Sequence, residues 1–395
     1  MIVVIGGGPA GLLFTLYAKH MGHTVVCFST TDSWRCTYSM WFDELKDSWF
    51  YKNGYISIKK MYNKVEVIFP DKKHVFNKKY VLLDNVETHK RVMDSISDNV
   101  RLEKVTRVWK QGDQYLVNNI ECNIVIDATG INSKLQKYIN LGSETCYQAF
   151  YGERRSIEHN YDMDTAILMD FSKTFDPPGF LYVLPLSENS VFYEETLLAS
   201  YRDVDLCERL VSRIGSANSV DFIEKGKLPM GHKLPYNSDI PAIGQSRGMS
   251  NPASGYMMTY LMKKIENSFD KFVERQEILD PGEKVNFYIY QMGIYCFTQL
   301  SQNELNSFLG VFFSINEEDW YKYLTRNASF WGMIIILLKI FALLSNRMRV
   351  RIIVLAIKYL IVFLRSLFPL LWDWLFIKSQ SNLAPDIIVG IPPPG

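Results

Sequence analysis

Charge of one sign is not in excess here: 43 Lys and Arg stand against 42 Asp and Glu, for a net charge of +1. That balance removes the electrostatic case for a nucleic-acid partner. Cysteine is scarce, with six residues at positions 27, 36, 122, 146, 207 and 296 and no Cys-x-x-Cys pair. Neither a disulfide framework nor a metal site is expected, and the thiols read as reduced groups in a cytosolic setting. Nothing resembling a signal or transit peptide precedes Ile2-Val3-Val4-Ile5, a buried parallel strand type that follows Met1 directly. No internal repeat is visible, and no apolar run reaches the roughly 18 uninterrupted residues of a clean membrane span.

What is present is a globular composition with apolar excess: 48% hydrophobic and 14% aromatic over 395 residues, long enough for two or three units around a large core. Gly6-Gly7-Gly8-Pro9-Ala10-Gly11 has the Gly-x-Gly-x-x-Gly spacing between a strand and a helix, Leu12 to His20, with a second strand at Thr24 to Phe28. Such a turn brings the backbone close to a pyrophosphate at a helix N-terminus, so Gly6, Gly8, Pro9, Ala10 and Gly11 are candidate dinucleotide-binding residues. The acidic residue expected about 20 positions on is replaced by Ser29, with Asp32 in the following loop.

Two later segments fit the same domain. Ile124 to Gly130 reads as a buried strand ending in Asp-Ala-Thr-Gly, making Asp127 and Gly130 cofactor candidates, with an ordinary strand-end turn as the alternative. Ile240 to Gly244 reads as another buried strand, followed by a Gly/Ser/Pro turn that holds Gly248 and Met249 and a helix through Phe272. Val100 to Val117 suggests a small antiparallel meander broken at Gln111-Gly112-Asp113. The expected fold is α/β: a Rossmann-like nucleotide domain in three pieces (1–32, 76–144, 226–275), with residues 33–75 and 145–225 as an inserted, mainly antiparallel substrate region.

Within that insertion, Phe180 to Leu184 and Val191 to Thr196 flank the turn-forming residues Pro185 to Ser190 and predict a hairpin. Its second strand carries Glu194 and Glu195. Neighbouring side chains on a strand point to opposite faces, so only one of the two can enter a given cavity and the other must be support. A pair of merely solvated glutamates is the plainer alternative. Tyr38 to Glu44 places Asp43 and Glu44 beside Trp41 in an aromatic-dense stretch. Core packing alone does not explain those carboxylates, and a substrate-lining loop does.

Residues 276–328 read as helical, with Phe308, Phe312, Phe313, Trp320 and Tyr323 either as core or as the lining of a channel for a long apolar molecule. Trp331 to Leu344 is apolar except for Lys339, and Ile352 to Ile377 is interrupted by Lys358, Arg365, Pro369 and Asp373. Residues 329–378 therefore fit helices that lie in a membrane surface better than a pair of spans, with a buried helical core as the alternative. Arg351, Lys358 and Arg365, spaced by sevens, would meet lipid head groups along one helical face. Residues 379–395 read as an unstructured tail.

Taken together, these residues make the chain similar to the plant and cyanobacterial type of lycopene cyclase, carotenoid enzymes that bind FAD. The resemblance runs over nearly the whole length. It rests on the glycine turn, Tyr38 to Glu44, Tyr147-Gln148 with Tyr151-Gly152, Phe180-Leu181-Tyr182 with Pro185, and Phe192-Tyr193-Glu194-Glu195-Thr196. Leu228-Pro229-Met230-Gly231 with Leu234-Pro235, Gly248-Met249, Pro252 to Tyr256, and Phe312-Phe313 with Trp320 extend it. The sequence departs from the family pattern at Ser29, Tyr193, His232 and Asn251.

The resemblance implies closure of linear lycopene ends to rings, with no net redox change. A proton is delivered to a terminal alkene, a second double bond attacks the resulting cation, and a different proton is lost. It implies Glu194 as the acid, Glu195 as its support, and Phe192, two residues away on the same face, beside the cation. With Trp41, Asp43, Glu44 and Tyr182, Phe192 forms the implied substrate-binding set. Reduced FAD would stabilise positive charge, NAD(P)H would reduce it, and a carotenoid and membrane lipid are the implied partners, with the flavin domain on the cytoplasmic side. An FAD-dependent monooxygenase or oxidoreductase acting on a lipid-like molecule, or a carotenoid-binding protein without catalysis, are the alternatives.

Overall fold

The computed structural model of the chain describes residues 1–34, 36–131, 133–136, 138–139, 146–217, 219–230, 234–235, 240–274, 281–377 and 387–389. His232 lies outside them, as does the side chain of Arg365.

A four-stranded parallel sheet begins the fold, in the order Ile124–Asp127, Ile2–Ile5, Val25–Phe28, Val100–Arg101. Its two central strands are almost continuously buried Val, Ile and Cys, the composition a strand needs when both faces are covered. The helix Pro9–His20 starts at the glycine turn, with Pro9 supplying a preset φ where no amide donor is required. Val100–Arg101 joins this sheet. The expected meander is instead Val108–Gln111, Gln114–Val117 and Ile120–Cys122, with its two tight turns made by left-handed Gly112 (φ 62°) and Asn118 (φ 51°).

Ile240 to Gly244 does not form the expected strand. Ala242 makes a single parallel bridge to Asp127, and a 3₁₀ turn, Gly244–Arg247, follows at once. Pro241 has no N–H to extend a ladder. Of the expected tail only residues 387–389 are described, and these form a strand that pairs antiparallel with Val108–Gln111.

The second layer is a seven-stranded sheet in the order Val220–Met230, Cys146–Arg155, Ser190–Leu197, Gly179–Ser187, Thr165–Asp170, Lys64–Ile68, Lys73–Phe76. Only Thr165–Asp170 with Lys64–Ile68 is parallel. Val220–Met230 continues past residue 226, and Tyr80–Leu83 belongs to a separate three-stranded sheet between Ser39–Trp41 and Ile58–Tyr62. The sheets thus overrun the boundaries drawn at 76 and 226. In the hairpin the strands run on to pair Ser187 with Ser190, leaving the two-residue turn Glu188-Asn189. Pro185 is accommodated at a register shift between Pro185 and Ser187, where a missing donor costs least.

Helices cover the inner face of that sheet: Pro281–Thr298, Gln302–Phe312, Glu317–Leu324, Phe330–Leu343 and Asn346–Ile377. Their starts are encoded locally. Ser301 and Glu304 form a reciprocal capping box, and Asn316 and Ser329 accept from Glu318 N–H and Gly332 N–H. Among the described residues no helix is long and apolar enough to cross a membrane. Met333, Ile336 and Ile340 of Phe330–Leu343 sit in the main core, while Trp331, Ile335 and Leu338 on its other face are exposed. Of the cations expected to line one face, Lys358 is exposed, but Arg351 donates to the Gln299 carbonyl at 2.8 Å. It ties two helical segments together.

Candidate active site

The glycine turn is closed on every side but one. An added Cβ at Gly11 would lie 1.8 Å from the Gly6 carbonyl oxygen and one at Gly6 would lie 2.3 Å from that of Ala128, whereas one at Gly8 would meet nothing within 4 Å. Gly8 is the N-cap of Pro9–His20, and no side chain caps that helix. Open space above uncapped amide donors is the cradle a pyrophosphate needs.

The distant segments expected to join this cradle do so. Gly244 (φ 67°) lies so close to Ala10 that an added Cβ would sit 2.6 Å from the Ala10 methyl. The Gly130 N–H donates to Ser246 Oγ at 2.8 Å, and the Met249 N–H donates to the Gly244 carbonyl at 3.0 Å, with Gly248 left-handed between them (φ 69°). Asp127 is fully buried, and its carboxylate accepts from Thr129 N–H and Oγ1, from Ser133 Oγ and from Ser246 Oγ. It therefore holds the surrounding turns in place. Ser29 is buried too, donating to the Thr31 carbonyl at 2.6 Å, while Asp32 is exposed.

A cavity of about 290 Å³ opens between the loops 36–40 and 245–259 and the inner face of the seven-stranded sheet. Strand alternation selects its wall. Phe180, Tyr182, Leu184 and Phe192 pack into the main core on one face, whereas Leu181, Val183, Val191 and Tyr193 pack into a separate cluster on the other. Glu194 shares the first face and lines the cavity with Met40, Leu168, Met169, Phe180 and Leu228. Glu195 is on the second, with no accessible surface, in an ion pair with Arg213. The guanidinium of Arg213 also lies 4.7 Å from the Phe175 ring centre. The two glutamates, adjacent in sequence, belong to different environments.

Three carboxyls reach the cavity, Glu44, Glu194 and Glu224, and among its described wall residues there is no Lys, Arg or His. Burial pushes the Glu194 carboxyl well above the ordinary range, the negative charge of Glu224 adds to that, and the hydrogen bond from Thr196 Oγ1 at 2.6 Å opposes it. Glu194 keeps some accessible surface where it borders the cavity. Burial raises Glu224 as well, opposed by the Thr37 N–H donating to Oε2 at 2.7 Å. Glu44 is pushed up to about 7 by burial, against hydrogen bonds from Thr259 Oγ1 and Asn327 Nδ2. Glu195 is pushed up to about 6 by burial, with Arg213 opposing. Desolvation disfavours the charged form in each case.

Of the other residues singled out in the sequence, Tyr182 is in the wall beside Tyr80 and Tyr256, whose hydroxyls are 3.1 Å apart. Trp41 is buried behind them, its ring 5.0 Å from that of Tyr80 and 5.9 Å from that of Trp320. Phe192 packs edge-on to Tyr182 at 6.5 Å. Asp43 does not reach the cavity. It lies on the surface and pairs with Lys46 at 2.9 Å, because one residue along a helix turns the side chain about 100° from Glu44. Sequence reasoning missed Glu224, Thr37 and Tyr80. Glu224 shares its parity with Phe222, Leu228 and Met230, while Asp221, Lys225 and Lys227 face away, so strand alternation could have placed it on the inner face. Among the described residues no group of three or more His, Cys, Asp or Glu could hold a metal ion.

Met169 and Leu324 line both this cavity and a smaller apolar one of about 30 Å³, bounded by Phe297, Phe308, Phe312, Leu337 and Ile340. Met169 and Leu324 therefore stand between the acid's cavity and an apolar one that borders Phe330–Leu343.

A family model described as Lycopene cyclase protein matches residues 1–350. Capsanthin/capsorubin synthase of Citrus sinensis, a chromoplastic protein, is 25% identical over 89% of this chain and 79% of its own length. Lycopene beta cyclase of Synechococcus elongatus is 25% identical over 88% of this chain and 94% of its own. Among solved structures, a geranylgeranyl bacteriochlorophyll reductase-like protein from Thermoplasma acidophilum superposes with a TM-score of 0.64 at 14% identity, covering 90% of this chain and 98% of that one. A flavoprotein/dehydrogenase from Cytophaga hutchinsonii gives 0.52 at 14% identity, covering 92% and 99%. These structures establish the mixed α/β fold of flavoproteins.

Proposed function

Because the chain belongs to the lycopene cyclase family, we propose that it closes rings at the ends of a linear, lycopene-type carotenoid by acid catalysis, with Glu194 as the acid. The observation that carries this reading is a buried carboxyl in an apolar cavity without a counter-cation. An alkene is a very weak base, so its proton must come from a neutral, strongly desolvated acid. Glu194 has that environment. It gives its proton to the terminal double bond, the neighbouring double bond attacks the tertiary cation, and a proton leaves the new ring.

The wall supports this chemistry in two ways. Tyr80, Tyr182 and Tyr256 present electron-rich rings and hydroxyls where positive charge develops, with Phe192 packed behind Tyr182. The apolar lining excludes water, which would otherwise capture the cation. Glu44 and Tyr182 are the substrate-lining members of the set named from sequence.

The glycine cradle over Gly8, with Gly130, Gly244, Gly248 and Met249 converging on it, fits FAD. Bound and reduced, with NAD(P)H as the proposed reductant, FAD supplies negative charge close to the cation. Gly6, Gly8 and Gly11 shape the pyrophosphate pocket, Pro9 and Ala10 start the helix behind it, and Asp127 sets the turn that carries Gly130.

A route between the two cavities past Met169 and Leu324 would let a long polyene enter from lipid. Trp331, Ile335 and Leu338 on one C-terminal helix, and Val350, Ile353 and Ile357 on the next, form the exposed apolar face that would lie in the membrane surface.

The test is expression in a lycopene-accumulating bacterium, followed by pigment analysis. Cyclic product from the wild type and none from Glu194→Gln, with flavin still bound, is the expected outcome. Unchanged lycopene with the wild type, or cyclic product from the variant, overturns the reading.

A further inference from the structure

Four residues form one transverse row on the cavity face of the seven-stranded sheet. Tyr182 pairs with Glu194, Glu194 with Gly152, and Gly152 with Glu224. Glu194 and Glu224 thus occupy the two strands that flank Cys146–Arg155, opposite the same glycine. At a strand spacing of about 4.8 Å their Cα atoms are about 10 Å apart. A side chain at position 152 would stand between them. An added Cβ there would lie 3.3 Å from Glu224 Cγ and 2.7 Å from the Phe192 ring. With no side chain at 152, the tip of the Phe192 ring fills the space over the glycine with Glu224 beside it, and both glutamates line the cavity.

The surroundings make this a pair with one proton to share. The groups facing it are Cys36, Thr37 and Tyr38 from the loop above, Tyr80 from the three-stranded sheet, Tyr182 and Thr196 from the hairpin, and Glu44 across the cavity. None of them is a cation. Two carboxylates side by side without a counter-charge cannot both be ionised at neutral pH. The donors divide the pair unequally: Thr37 N–H is an obligatory donor, fixed toward Glu224, while Thr196 Oγ1 meets Glu194 with a hydroxyl that can also accept. The anion therefore settles on Glu224 and the proton on Glu194.

We propose that Glu194 and Glu224 form a carboxyl dyad across Gly152, in which Glu224 is the positioning member that keeps the shared proton on Glu194 and receives a return proton through it. This rests on the assignment of Glu194 as the acid. When Glu194–H gives its proton to the terminal carbon, a C–H bond forms and both members become carboxylates facing the cation. After ring closure, the carbon next to the cationic centre breaks its C–H bond, the electron pair becomes the ring double bond, and the proton passes to the dyad. One proton enters and one leaves, so the dyad is ready for the next end without exchange with water. Nothing is oxidised or reduced.

The experiment measures the pH dependence of cyclisation in lycopene-loaded vesicles, and the titration of the protonated-carboxyl infrared band, for wild type, Glu194→Gln, Glu224→Gln and Glu224→Asp. In Glu224→Gln, turnover at pH 7.5 is expected to fall at least tenfold, and the alkaline limb to move at least one pH unit lower. In Glu224→Asp, which withdraws the carboxylate by one methylene, the limb and the infrared midpoint move in the same direction by less. Glu194→Gln removes the part of the band that persists above the titration of Glu44 near 7. If Glu224→Gln loses its flavin spectrum and is misfolded, Glu224→Asp decides. An unmoved limb and band midpoint in the folded Glu224 variants overturns the dyad while leaving the acid assignment intact, provided Glu194→Gln is inactive. Cyclisation by Glu194→Gln overturns the acid assignment itself.

Discussion

Glu195 and Arg213 form an ion pair with side chains only 0% and 2% exposed, on the face of the sheet opposite Glu194. Removing one partner leaves the other charge buried and uncompensated, which costs about 3–5 kcal/mol. Arg213→Ala should therefore lower the midpoint of urea unfolding and the yield of folded protein, while the folded fraction keeps its cyclase activity per flavin. An unchanged midpoint would show that the pair is not closed in solution.

Gly11→Ala would put a methyl group 1.8 Å from the Gly6 carbonyl. The turn must open to relieve that contact, and the pyrophosphate cradle is lost with it. The purified variant should lack the flavin absorbance that the wild type carries. Equal flavin content would count against the cradle.

Leu324 borders both the acid's cavity and the smaller apolar one. Leu324→Trp should obstruct the passage between them, with an overpacking cost of about 1–3 kcal/mol. Lycopene conversion is expected to drop at least tenfold while flavin binding stays at the wild-type level. Full conversion would mean that the polyene enters elsewhere.

Glu44 titrates at about 7 in the folded chain, against an ordinary value of 4.5. Between those values the folded chain holds a proton that the unfolded chain has released, so this contribution to stability is complete below 4.5 and is lost as pH rises through 7. The melting temperature should decline across that window, and Glu44→Gln should flatten the decline. Glu195, at about 6, adds in the same direction, so a residual slope remains in the variant. Calorimetry showing the same slope in both proteins would contradict the assignment.

Deleting the C-terminal helices is a poor test of lipid binding, since Met333, Ile336 and Ile340 belong to the core. Substituting the exposed residues isolates the surface. Leu338→Glu with Ile357→Glu, at sites 62% and 53% exposed, should reduce flotation with phospholipid vesicles and leave thermal stability within about 1 kcal/mol, as for most surface changes. Undiminished flotation would remove the lipid-facing role of these helices.

Local spacing in the chain decides the individual elements and one division of labour. Pro9 after the glycine turn starts a helix, Ser301 with Glu304 caps another, and the parity of a strand sends Glu194 and Glu195 to opposite faces. Each of these depends on residues within a turn or two of one another, so spacing alone decides it. Which face holds the cavity was not local: the row Tyr182, Glu194, Gly152, Glu224 joins paired residues up to 72 positions apart in the chain, Gly152 and Glu224. Asp43 and Glu44 differ in sequence position by one, yet only the fold shows that the second is buried and the first paired with Lys46 on the surface. Arg351, a lipid-facing cation by its spacing, donates in the fold to the Gln299 carbonyl. Tertiary structure decided these points because burial and the absence of a counter-charge are properties of what packs around a side chain. Glu194 is an acid by its residue type and a catalyst by its surroundings.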